Sequence, residues 1–85
     1  MKEIVYTIKD PLGIHARPAG LLVKAATAFT SAVTIEKNGK SADAKRIFGV
    51  MGLGVKQDDT ITVRIEGADE EKCAQELNKF FAENL

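Results

Sequence analysis

His15 is the only histidine of the chain, and it stands in Gly13-Ile14-His15-Ala16-Arg17-Pro18-Ala19-Gly20, one residue ahead of an amphipathic helical pattern. A helix start leaves backbone N–H groups without intrahelical partners and carries partial positive charge, so it is a natural anion site. An imidazole at that place could take up a phosphoryl group and release it again. Ser, Thr, Asp and Asn are the usual N-caps, so histidine there departs from local preference. A hydrogen bond from a first-turn amide, such as that of Arg17, to Nδ1 would favour the neutral imidazole, as would the helix field. The amides of Ala16 and Arg17 could then receive phosphoryl oxygens. The planar guanidinium of Arg17 suits pairing with those oxygens or with acidic groups on a partner. Pro18 falls in the first turn, where a missing N–H breaks no intrahelical bond and the fixed φ stiffens the helix start.

Each of these residues also has a plainer reading. A lone histidine beside a helix start is often structural, an arginine there is usually a solvated charge, and proline is a common helix-start signal. The residues alone leave both readings standing.

Around this junction the elements follow from periodicity. Between Lys2 and Lys9, Ile4, Tyr6 and Ile8 alternate with polar residues, which predicts a first strand blurred only by Val5. Asp10-Pro11-Leu12-Gly13 is a turn that delivers His15 at a loop exit. From Ala16, a rotation of about 100° per residue puts Ala19, Leu22, Val23, Ala26 and Phe29 on one buried face. Leu21 falls nearly opposite, beside Arg17 and Lys24, where it has no core to enter. Val33 and Ile35 alternate with Thr34 and Glu36, and Asn38-Gly39 predicts a type I′ hairpin turn. Pairing Lys37 with Lys40 sets Ala42 opposite Ile35 and Ala44 opposite Val33, a register with one apolar face. Lys45 to Val55 reads as a short helix weakened by glycines and followed by a loop. Ile61, Val63 and Ile65 mark the last strand, ended by Gly67. A final helix opens at Ala68 or Asp69, with Glu70 and Glu71 in its first turn and a stripe of Cys73, Leu77, Phe80 and Phe81. The order βαββαβα, with helices against one side of a four-stranded sheet, gives an open-faced α+β sandwich.

Composition narrows the functions available. Eighty-five residues suffice for one domain, 1–85, and leave no room for a separate substrate domain. Twelve basic and twelve acidic residues cancel, so no global positive field draws in nucleic acid or an anionic membrane. Tyr6 is the only aromatic on a predicted strand, which argues against an RNA-stacking sheet. One histidine and one distant cysteine offer no metal-ligand cluster, and the glycines at 49, 52 and 54 spell neither a P-loop nor a dinucleotide fingerprint. Cys73 excludes an internal disulfide and reads as a small core residue. The start Met1-Lys2-Glu3-Ile4 lacks a signal-peptide stretch and no run approaches membrane-spanning length, so a cytoplasmic location without membrane insertion is expected. Order of elements alone also fits a non-catalytic regulatory or interaction module of ferredoxin-like topology.

Gly13-Ile14-His15-Ala16-Arg17-Pro18-Ala19 resembles the active-site motif of the HPr family, the histidine-containing phosphocarriers of the bacterial phosphoenolpyruvate-dependent sugar phosphotransferase system. The likeness spans essentially the whole chain. It includes the Asn38-Gly39-Lys40 hairpin, the Lys45 to Gly54 segment and the Gly67-Ala68-Asp69-Glu70 entry to the last helix. The resemblance implies four antiparallel strands with three helices on one face. It implies that enzyme I phosphorylates His15 on Nδ1 and that His15 passes the group to sugar-specific IIA domains. No cofactor is then needed, since the phosphoryl group travels covalently, and the protein is a carrier that turns over no substrate alone. A monomer is expected, because successive partners must meet the same surface.

By position, the resemblance makes Arg17 the phosphate-assisting residue. It places Leu21, Ile47, Phe48, Met51 and Leu53 in or near a partner surface ringed by Lys24, Lys45 and Arg46. Within the middle segment, Val50 and Val55 are expected to point inward, and Ile47, Phe48 and Met51 outward. Two departures stand out. Many members have serine at the place of Arg46, the target of a regulatory kinase; arginine cannot accept that phosphate, so seryl regulation at position 46 is expected to be absent and Ser41 is a poor replacement. Leu12 stands where a small polar residue is frequent, which bears on the hydrogen bonding of the loop.

Overall fold

The computed structural model describes residues 1–85. Seven elements follow one another: β1 Lys2–Thr7, α1 Ala16–Thr27, β2 Ala32–Lys37, β3 Lys40–Asp43, α2 Ile47–Gly52, β4 Thr60–Glu66 and α3 Glu70–Asn84. The strands form one antiparallel sheet in the order β1-β4-β2-β3, and the three helices cover one of its faces. Each helical crossover skips a strand: β4 lies between β1 and β2, and β2 lies between β3 and β4. β1 is therefore an edge. A ferredoxin-like sheet would hold β1 inside, so the alternative topology does not apply.

Period-two alternation explains the layering. Ile4, Val33, Ile35, Ile61, Val63 and Ile65 are buried under the helices, while Val5, on the opposite face of β1, is 63% exposed. The helices return Ala19, Leu22, Ala26, Val50, Cys73, Leu77 and Phe81 to the same core. Phe81 stacks on Tyr6, with ring centroids 5.5 Å apart. The helix-wheel expectation for α1 holds for Ala19, Leu22 and Ala26; Val23 flanks the stripe, and Phe29 lies past the helix end and is only half-buried. Phe80 likewise flanks the stripe of α3.

The hairpin has the expected form. Asn38 and Gly39 both take positive φ, 51° and 81°, and Lys37 faces Lys40 while Ile35 faces Ala42. Ala44 donates to the Val33 carbonyl at 2.9 Å, so the register continues one step beyond β3.

β1 is shorter than its pattern suggests. Ile8 is fully buried, but its amide and carbonyl bond to Asp59 and Asp58 of the turn before β4, and the amides of Lys9 and Asp10 turn to the Leu85 carbonyl. Apolar alternation reports the buried face and not the hydrogen-bond partner, so it overran the strand by two residues.

Candidate functional site

His15 is the N-cap of α1, in extended backbone conformation, and its carbonyl accepts the Ala19 amide at 2.9 Å. Its side chain makes no capping bond, contrary to the expected bond from Arg17. The amides of Ala16 and Arg17 bond to no protein acceptor, and Pro18 has none to offer. The helix start thus keeps two N–H donors free beside a half-exposed imidazole, with no acidic residue in the first turn to neutralise its positive end.

The approach to His15 is fixed by backbone contacts. Gly13 sits at φ +66°, and a Cβ there would lie 2.3 Å from the Val55 carbonyl oxygen, so only glycine fits without displacement. Ile14 is buried and donates to that same oxygen at 3.1 Å. The Asp10 carboxylate accepts the Leu12 amide at 2.9 Å and its carbonyl accepts Gly13 at 2.9 Å, closing the turn that precedes them. Leu12 itself projects into solvent, and the loop's internal bonds are made by Asp10.

His15, Arg17, Pro18 and Leu21 line an open cleft of about 220 Å³, which Asp10, Glu83 and Asn84 complete. Sequence reading singled out neither Glu83 nor Asn84. They come from the last turn of α3, and no local pattern shows that α3 ends beside the start of α1.

A second feature of this end is an exposed apolar group. Leu21 is 41% exposed, Met51 40% and Phe48 87%, as expected for residues without a core to enter. Val50 and Val55 are buried, again as expected. Ile47 differs: it is half-buried against the core, and its Cδ1 lies over Gly20 of α1, 3.8 Å from where a Cβ would stand, an ordinary packing distance. Leu53 is half-buried too.

Around this group Lys24 and Arg46 are exposed, with Arg46 Nε 3.9 Å from the Asp43 carboxylate. Lys45 is more constrained than a rim cation, because its Nζ donates to the Phe29 carbonyl at 2.9 Å, just beyond the end of α1. No group of three or more His, Cys, Asp or Glu side chains could hold a metal ion. Cys73 is buried, and burial first, then the Asp69 charge, pushes its thiol up from the ordinary range. No helix is long and apolar enough to cross a membrane.

Comparison with known proteins agrees with this arrangement. A family described as "PTS HPr component phosphorylation site" matches residues 2–83. A phosphocarrier protein HPr of Lysinibacillus sphaericus is 46% identical over 83 residues, covering 98% of this chain and 94% of its own. Among solved structures, a Mycoplasma histidine-containing phosphocarrier protein superposes with a TM-score of 0.94 at 33% identity, over 96% of this chain and 93% of its own. The HPr-C-His structure from Thermoanaerobacter tengcongensis gives a TM-score of 0.92 at 41% identity, over 96% and 92%.

Proposed function

This chain belongs to the HPr family of the phosphotransferase system, and we propose that it works there as a one-domain phosphocarrier with His15 as the residue that holds the phosphoryl group. A lone pair on His15 Nδ1 attacks phosphorus in phosphorylated enzyme I; the new P–N bond forms as the donor's bond to phosphorus breaks. The reverse sense of the same exchange, toward a IIA domain, discharges the carrier. The free amides of Ala16 and Arg17 donate hydrogen bonds to the phosphoryl oxygens, and the Arg17 guanidinium neutralises charge as the group passes. Helix-terminus stabilisation of an anion is worth about 0.3–1 kcal/mol when exposed, modest enough to permit release.

The observation that carries this reading is the helix start itself: an uncommitted imidazole next to two open amides and an arginine, in a cleft that a partner can enter. No cofactor is required, and the protein completes no reaction cycle alone. Leu21, Phe48 and Met51 form the centre of the docking surface, with Lys24, Arg46 and Arg17 at its margin. Ile47, Leu53 and Lys45 shape it from beneath. The carrier is cytoplasmic and monomeric in this reading. Arg46 offers no hydroxyl, so seryl control at that position is absent, and its charge favours an acidic partner.

Incubation with phosphoenolpyruvate and enzyme I tests the assignment. An acid-labile, base-stable phosphate is expected on the wild type and none on His15→Ala. Retention of the label by His15→Ala overturns it.

A further inference from the structure

Lys37 reads in the sequence as an ordinary hairpin cation, yet its side chain is only 16% exposed and its Nζ is committed twice. It donates to the Gly54 carbonyl at 2.9 Å and pairs with the Asp59 carboxylate at 2.9 Å, itself 31% exposed. The same carboxylate oxygen accepts the Lys56 amide at 2.8 Å, and the Asp59 amide donates to the Lys56 carbonyl at 3.1 Å. One ammonium and one carboxylate therefore brace the turn from Gly54 to Asp59 from within. Asp58 in that turn holds φ +72°, a conformation that needs such support.

The braced turn is the surface on which the His15 loop rests. The Val55 carbonyl receives Ile14, Gly13 passes so close that a Cβ cannot be admitted, Ile8 is bonded at both its amide and its carbonyl, and Gln57 Nε2 donates to the Lys9 carbonyl at 3.3 Å. Ile14 is the immediate neighbour of His15. Any shift of Val55 is passed through a backbone hydrogen bond and a steric contact to the residue before the imidazole.

We infer that Lys37 and Asp59 are positioning residues: their ion pair, though outside the cleft, sets the height of the Gly54–Asp59 turn and through Val55 places His15 against the amides of Ala16 and Arg17. This rests on the phosphocarrier reading. The pair belongs to neither the cleft nor the exposed apolar group, so its loss acts on transfer within the complex and not on docking. Misplacement of a reacting group by a fraction of an ångström to one ångström costs up to about 100-fold in rate; a turn loosened by one lost pair is expected to cost about tenfold.

The test uses Lys37→Met, which keeps most of the aliphatic stem, together with Asp59→Asn and Lys37→Arg. Each protein serves as acceptor for phosphorylated enzyme I. Ser31→Ala, just before the other end of β2, supplies a variant destabilised without touching the turn. Expected are a maximal rate about tenfold lower for Lys37→Met and Asp59→Asn at nearly unchanged KM, displaced amide resonances from Ile14 to Arg17, recovery in Lys37→Arg, and a double variant no slower than either single one. Wild-type rate and undisturbed resonances in Lys37→Met overturn the inference, as does a loss no greater than that of Ser31→Ala at matched thermal midpoint. Failure of the wild type to accept phosphate overturns instead the phosphocarrier reading.

Discussion

Phe48 is a phenylalanine at the start of a two-turn helix with 87% of its surface in water. Burying such a ring in a core would contribute roughly 1.5–3 kcal/mol, so its position forgoes stability that the fold could have gained. Phe48→Ala is expected to change unfolding free energy by no more than about 0.5 kcal/mol and to weaken partner binding by about 2 kcal/mol; denaturation and titration calorimetry measure the two. Gly13 is the opposite case, a residue chosen for what it lacks. Gly13→Ala must move the Val55 backbone or leave φ +66°, at a cost of roughly 1–3 kcal/mol, and phosphotransfer should slow because Ile14 and His15 follow directly. Urea unfolding and the acceptor assay report both effects.

Asp69 joins elements that are far apart in sequence. It is the N-cap of α3, but its carboxylate reaches across to the connection between α1 and β2, accepting the amides of Thr30 and Ser31 at 2.9 Å each and a short bond from the Ser31 hydroxyl. Gly67 fits beside them because a Cβ there would lie 2.6 Å from Ser31 Cα. The Ser31 hydroxyl, followed by the Thr30 amide, holds the Asp69 carboxyl down to about 2. Since this lies below the unfolded value of about 3.9, the clamp contributes its full stability above that value and loses it as pH falls toward 2. Midpoints of urea unfolding should therefore decline from about pH 4 downward in the wild type, and Asp69→Asn should lack that part of the decline. The Asp59 carboxyl is lowered as well, chiefly by Lys37, so the brace beneath the His15 loop stays charged at neutral pH and is lost only in acid.

Across the whole molecule the charges sum to zero, yet their arrangement is uneven. Arg64 answers Glu3 and Glu36 on the open sheet face, Lys2 pairs with Glu71, and Lys37 with Asp59. Arg17 and Lys24, near His15, have no such ion pair, and the contact of Arg46 with Asp43 is a long one. In a neutral protein the cations Arg17 and Lys24, free of ion pairs, give acidic partners a local attraction, set against Asp10 and Glu83 in the cleft itself, without a global field for nucleic acid. Association with enzyme I should slow as ionic strength rises from about 0.01 to 0.15 M, a range that shortens the screening length from roughly 30 to 8 Å, while the transfer step itself changes little. Stopped-flow rates at several salt concentrations separate the two.

What the sequence determined alone were features governed by near neighbours. The type I′ turn at Asn38-Gly39, the β2–β3 register, the buried stripe of α1 and the exposure of Leu21 follow from φ preferences and from periods of two and about 3.6 residues. The candidate nucleophile was legible for the same reason, since a helix start and its free amides are local. Tertiary structure alone decided where chain segments meet. It put Glu83 and Asn84 into the His15 cleft, turned Ile47 inward over Gly20, engaged Lys45 with the Phe29 carbonyl and set Lys37 under the turn that carries Val55. Those pairings join residues from distant elements, and one-dimensional patterns tell which side of an element is apolar but not which neighbour will cover it.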